Sequence, residues 1–136
     1  MSDKNIDNLI EYRLSRADDA LKEASLLFDS NHINTYVNRL YYAAFYAVSA
    51  LLLCRNISTS KHSHLRSAFH KDFVKPGTVP VEHGKHFDIL FNSRQEGDYG
   101  DFVVFNAKDV AHWLTKTSDL VSFIRKIIPE LSDNSA

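Results

Sequence analysis

From Leu40 to Cys54 the chain reads Leu-Tyr-Tyr-Ala-Ala-Phe-Tyr-Ala-Val-Ser-Ala-Leu-Leu-Leu-Cys, fifteen residues without a charge. The run falls short of the roughly 20 apolar residues that a helix needs to cross a bilayer, so no membrane association is expected. A helix that is apolar on every side must be covered on every side. It is therefore the central helix of a bundle, one side of a dimer interface, or both. The small residues Ala43, Ala44, Ala47 and Ala50 permit a second helix to come close. If this helix forms a dimer, Ala47→Glu should give monomers.

The flanking segments also repeat at helical spacing. Ile6, Leu9, Ile10, Leu14, Ala17, Leu21, Ala24, Leu27 and Phe28 follow in steps of three and four until Asn31, His32 and Asn34 interrupt them. The second helix should start near Asn34 as N-cap and reach about Arg55, and a third should run from Lys61 to Val74. After the loop Lys75-Pro76-Gly77-Thr78-Val79-Pro80 a fourth should cover Val81 to Gln95. Gly97 to Phe105 is expected to be irregular, with Phe102-Val103-Val104-Phe105 open to a short extended piece. Asn106, followed by Asp109, predicts the N-cap of a last helix. That helix carries Val110, Trp113, Leu114, Thr117, Val121, Ile124, Ile127 and Ile128 on one face and should stop at Pro129.

Four glycines and three prolines in 136 residues are too few to punctuate many short strands. The expected fold is all-α, an antiparallel up-and-down bundle of four to five helices. One domain spans 1–136, its core about 8–128, with Met1–Asn5 and Ser132–Ala136 frayed. Cys54 is the single cysteine, which excludes an internal disulfide and cysteine-rich zinc patterns. It reads as a small hydrophobe at the end of the apolar helix. Together with an N-terminus lacking the basic start and apolar run of a signal peptide, it suggests a cytoplasmic protein.

A formal net charge of −1 argues at first against a nucleic-acid partner, but charge is unevenly spread. Residues 1–29 sum to −3, residues 30–54 hold Arg39 alone, residues 55–86 sum to +4 and residues 87–136 return to −3. The basic segment also carries His62, His64, His70, His83 and His86, which extend its charge as pH falls below about 6.5 if they are solvated. Local charge decides whether a phosphate is attracted.

Two constellations stand out. Arg39 is a lone cation at the mouth of the apolar helix, beside Asn38 and one turn from Tyr42. Its planar fork of donors suits phosphate, and an adjacent aromatic can hold the fork or stack a base. The alternative is a plain ion pair with a carboxylate at the bundle end. The second constellation is Arg94-Gln95-Glu96-Gly97-Asp98-Tyr99, either a shaped polar binding surface or a helix C-cap with Gly97 left-handed and Arg94 beside the last carbonyls. The histidines fix no third zinc ligand by spacing, so no metal site is expected. Phosphate-loop, dinucleotide and nucleophile-elbow patterns are absent.

Asn38-Arg39-Leu40-Tyr41-Tyr42-Ala43-Ala44-Phe45-Tyr46-Ala47, with the later Lys85-His86-Phe87 and Arg94 to Tyr99, resembles the HEPN family, in particular its small stand-alone prokaryotic branch. The likeness covers about residues 8–128. It implies a helical bundle, a homodimer, and in many members a minimal nucleotidyltransferase as toxin–antitoxin partner. Many members are metal-independent ribonucleases that use an arginine followed, after four to six residues, by a histidine. Arg39 carries over, whereas the histidine position is held by Tyr46. A phenol with a pKa near 10 is a poor proton acceptor at neutral pH. His62 follows Arg55 after six residues, but in a loop and beginning helix, so that spacing reads as chance.

The resemblance thus implies a binding and regulatory role more than catalysis, with no cofactor. Arg39 and Tyr46 are the catalytic candidates. Asn38, Arg39, Tyr42, Arg94, Asp98, Tyr99, Lys61, Arg66 and His86 are the candidate nucleotide or RNA contacts. The alternatives are a metal-independent ribonuclease toxin in which His86 or His83 replaces the missing base, and a purely structural dimer or adaptor.

Overall fold

The computed structural model describes residues 4–100 and 103–134. Its helices are α1 (Lys4–Asp29), α2 (Ile33–Leu53), α3 (His62–Phe69), α4 (Val81–Tyr99), α5 (Ala107–Val110) and α6 (Trp113–Asn134), and no strand occurs among the described residues. The all-α bundle expected from spacing is the fold observed. α3 continues into a wider turn, His70–Val74, in which the Lys75 N–H reaches back five residues to the His70 carbonyl at 2.8 Å.

α2 is the central helix. It lies along α1 and also packs on α3, α4 and α6. Ala43, Ala44, Ala47 and Ala50 are wholly buried inside the one chain, as are Tyr36, Leu40, Tyr41 and Leu51. α1 presents its own small buried residues, Ala17, Ala20 and Ala24. The four alanines of α2 therefore serve packing within the chain. A glutamate at Ala47 would place a charge in this core and unfold the chain, contrary to the expectation of folded monomers.

The α1–α2 connection shows how sequence makes the bundle turn. Asn31 adopts a left-handed conformation (φ 63°), and the His32 N–H closes on the Leu27 carbonyl at 2.8 Å. Asparagine tolerates that conformation better than most residues, and the bond satisfies a carbonyl at the end of α1. α2 then begins at Ile33, so Asn34 is not its N-cap. Asn34 instead holds the chain before α5: its Nδ2 donates to the Val103 carbonyl at 2.8 Å, and its Oδ1 accepts the Phe105 N–H at 3.0 Å. α2 ends at Leu53, two residues before Arg55.

Three other boundaries differ from expectation. α4 runs through Gly97 to Tyr99, so Gly97 is not a left-handed cap. A Cβ built there would stand 2.8 Å from the Phe105 ring, which makes glycine the residue that lets this ring lie on α4. The Asn106 cap is as expected, accepting the Lys108 N–H at 2.9 Å. The last helix, however, is broken after Val110 and resumes at Trp113. It then passes through Pro129 to Asn134. Pro129 is exposed, where water is at hand for the carbonyl that its missing N–H leaves over. Of the residues expected to be irregular or frayed, Asp101, Phe102, Met1–Asp3 and the last two lie outside the described residues; Lys4, Asn5 and Ser132–Asn134 are helical.

Candidate functional site

Beyond its first turn, α2 is open to solvent only at Asn38, Arg39, Tyr42, Phe45 and Tyr46. Steps of three and four put these residues on one face. The motif that stands out in the sequence is therefore also the one accessible stripe of a buried helix.

Arg39 and Arg94 organise this stripe. The Arg39 guanidinium lies 5.0 Å from the centre of the Tyr42 ring, and its Nη1 donates to Glu23 Oε1 of α1 at 3.1 Å. Nε and Nη2 donate to Asn38 Oδ1 at 3.3 and 3.2 Å. Asn38 Nδ2 in turn donates to Asp98 Oδ2 of α4 at 3.0 Å. Arg94, one turn before Asp98, approaches the same Asp98 oxygen to 3.7 Å and donates to the Tyr42 hydroxyl at 3.5 Å. Its guanidinium stands 5.0 Å from the Tyr41 ring centre and 5.8 Å from that of Tyr42. Two cations are thus held against one partly exposed aromatic ring.

Their environments differ. The Arg94 side chain is 8% exposed and structural in its surroundings. Arg39 is 25% exposed and Glu23 53%, so the carboxylate pairing weighed for Arg39 is observed, but on the surface. Exposed pairs of this kind contribute about 0–1 kcal/mol. A phosphate can displace Glu23 at little cost.

The fold brings together Asn38, Arg39, Tyr42, Arg94 and Asp98 from segments some 60 residues apart. Tyr99 closes α4, and its side chain lies outside the described residues. Tyr46 is one turn along the stripe, 6.1 Å from Tyr42 between ring centres, and its hydroxyl accepts from Arg16 Nη2 at 3.0 Å. Lys61, Arg66 and His86 are not in the cluster. Lys61 is exposed at the start of α3. Arg66 donates to Asp88 Oδ1 at 2.9 Å with its guanidinium 4.9 Å from the Phe91 ring centre. His86 is buried about two turns before Arg94 on α4, its Nε2 2.8 Å from Thr117 Oγ1 of α6. Burial, helped by Lys116, pushes its pKa down to about 4.

The histidines of the basic segment are therefore not one solvated, protonatable patch. Burial lowers His83 and His62 as well, and His70 shares Asp88 with Arg66, Nε2 to Oδ1 at 2.9 Å. Among the described residues no three His, Cys, Asp or Glu side chains could hold a metal ion. Nor is any described helix long and apolar enough to cross a membrane.

His62 is the residue that sequence reasoning passed over. It opens α3, accepts or donates through Nδ1 to the Tyr41 hydroxyl at 2.7 Å, and stacks on Phe45 with ring centres 4.5 Å apart. It also lies 6.0 Å from Tyr42. Its pKa is lowered first by burial and then by the Arg94 charge, so the neutral imidazole dominates at neutral pH. Spacing along the chain carries no signal for this, since His62 reaches the α2 stripe only because α3 packs on α2.

Comparison with known proteins covers nearly the whole chain. A Thermotoga maritima protein named UPF0332 protein is 42% identical over 125 residues, covering 92% of this chain and 95% of its own. Two Methanocaldococcus jannaschii proteins, named Putative toxin MJ0142 and Putative toxin MJ0605, are each 31% identical; the first alignment covers 79% of this chain and 73% of the relative, the second 71% and 72%. The family model described as HEPN domain matches residues 10–127, a span holding the α2 stripe, His62, Arg94 and Asp98. That match spans nearly all of the helical bundle, and the chain belongs to the HEPN family.

Proposed function

We propose that this chain is the HEPN component of a cytoplasmic toxin–antitoxin type pair, working as a homodimer with a minimal nucleotidyltransferase as partner, and that it binds an RNA or nucleotide phosphate at the Arg39–Tyr42–Arg94 face. The observation that carries the reading is the state of Arg39. Its guanidinium is held over Tyr42 and half-buried, and among the described residues its carboxylate partner is the weakly held Glu23. Such a fork is arranged in advance for a phosphate oxygen, and the ring beneath it offers a surface for a base. The relatives named as toxins support the toxin context.

The test is binding of a short single-stranded RNA at increasing salt. Affinity should fall steeply with salt, and Arg39→Ala should weaken binding and flatten the slope by the equivalent of about one phosphate contact. No binding at low salt favours the structural adaptor instead. Purification of the tagged protein from its source cell tests the partner, and recovery without a nucleotidyltransferase-like subunit counts against the pair.

One observation favours ribonuclease activity as a second reading. His83 and His86 face α6, but the neutral imidazole of His62 lies beside Tyr42, where it can take a proton. RNA cleavage that persists in EDTA and is lost in both Arg39→Ala and His62→Gln would establish that reading.

A further inference from the structure

Between the first two turns of α4 and those of α6 lies a cavity of about 220 Å3, lined by Glu82, His83 and His86 of α4 and by Lys116 and Asp119 of α6. His86 is its buried member, 5% exposed. The ring Nε2 is 2.8 Å from the Thr117 hydroxyl, which gives its one proton to the Trp113 carbonyl at 2.7 Å. Nε2 must therefore be the donor in the contact with Thr117. Burial, helped by Lys116, holds the ring neutral, so Nδ1 keeps a bare lone pair. Nδ1 has no partner among the described residues and is not sealed from solvent. It opens on the cavity that the ring lines.

The rim carries the charge. Glu82, Lys116 and Asp119 are exposed, and none of the three has an ion-pair partner among the described residues. His83 is half-buried beside them, its ring centre 5.3 Å from that of Phe123. Two carboxylates and a lone pair can only accept hydrogen bonds, whereas Lys116 can only donate. The complement of this wall is a positively charged group with several N–H donors, joined closely to a carboxylate. An α-amino acid carries both on one carbon. The volume is below the range of about 300 Å3 and above that drug-sized ligands occupy, which suits a molecule of this size and excludes a nucleotide. We infer that this cavity binds a free α-amino acid, its ammonium on His86 Nδ1, Glu82 and Asp119 and its carboxylate on Lys116. The site is separate from the Arg39 face and does not depend on the reading given there.

Titration of the full-length protein with L-alanine, L-serine and L-glutamine in turn, followed by NMR, tests it. With at least one of them the His86 ring nitrogens and the amides of Lys116 to Asp119 should shift together and saturate. Lys116→Ala and Asp119→Asn, both at exposed positions that leave the core intact, should each weaken that binding about tenfold. Ethylamine and propionate, which carry one charge each, should bind at least about tenfold more weakly than the amino acid. The inference is overturned if none of the three amino acids saturates at millimolar concentration, or if the shifts are confined to Asn38–Tyr42. It is also overturned if ethylamine binds as tightly as the amino acid, which would make the cavity a plain cation site, or if neither variant weakens binding.

Discussion

The guanidinium of Arg39 lies 5.0 Å from the centre of the Tyr42 ring one turn further along α2, and the ring is shared with Arg94 from α4. The two arginines do different work around it. Arg39 faces solvent and exposed Glu23, whereas Arg94 is buried between Tyr41, Tyr42 and Asp98.

Stability should separate them. Arg39→Ala removes an exposed pair and is expected to cost no more than about 1 kcal/mol. Arg94→Ala strips a buried cation from two rings, takes the donor from the Tyr42 hydroxyl and leaves Asp98 with Asn38 but without its cation, a loss of about 1–3 kcal/mol. Urea denaturation of the two variants measures both. Equal losses would mean that Arg39 is as structural as Arg94 and is not held in readiness for a ligand.

The break between α5 and α6 gives a second prediction. The buried Tyr36 hydroxyl donates to the Val110 carbonyl at 2.8 Å and accepts the Leu114 N–H at 3.1 Å. One side chain of α2 thus takes up backbone groups that a continuous helix would have paired. Tyr36→Phe keeps the ring but leaves both groups without this partner, at a cost of about 1–3 kcal/mol. Hydrogen exchange should locate the loss at Val110 to Leu114. A thermal midpoint unchanged in Tyr36→Phe would show that the break does not depend on this hydroxyl.

These two sites mark what the sequence made legible. The fifteen uncharged residues dictate a central helix because an all-round apolar surface has one physical solution, and the Asn38–Tyr42 motif stood out because polar residues there have a single open face to occupy. His62 and the role of Asn34 were hidden. Each acts across the bundle, His62 on Tyr41 and Phe45, Asn34 on Val103 and Phe105, and short-range periodicity holds no record of such pairs. Gly97 and Pro129 misled for the opposite reason: local breaker chemistry yields where packing on Phe105, or exposure to water, favours continuing the helix.

Gly97→Ala tests that account. Inside a helix alanine is ordinarily better than glycine by about 0.5–1 kcal/mol. Here the added methyl would meet the Phe105 ring at 2.8 Å, and the backbone of Phe105 is tied to Asn34. The substitution should therefore destabilise by about 1 kcal/mol, in the range of overpacking penalties. In Phe105→Leu the same substitution should be neutral or favourable. A double-mutant cycle that finds no coupling between positions 97 and 105 would remove the steric explanation.

His86 sets the direction of the pH dependence. An imidazole in the unfolded chain takes up a proton near pH 6.5, but in the folded protein burial and the Lys116 charge delay this to about 4. The unfolded state therefore binds more protons between these values. The contribution of neutral His86 is complete above pH 6.5 and is lost as pH falls through the window to 4, on the order of 3 kcal/mol in all. The downward shifts of His62 and His83 act in the same direction. Unfolding free energies measured from pH 7 to 4.5 should decline for the wild type and decline less steeply for His86→Gln, whose amide can still reach Thr117. A variant that tracks the wild type throughout would place the acid sensitivity in other groups.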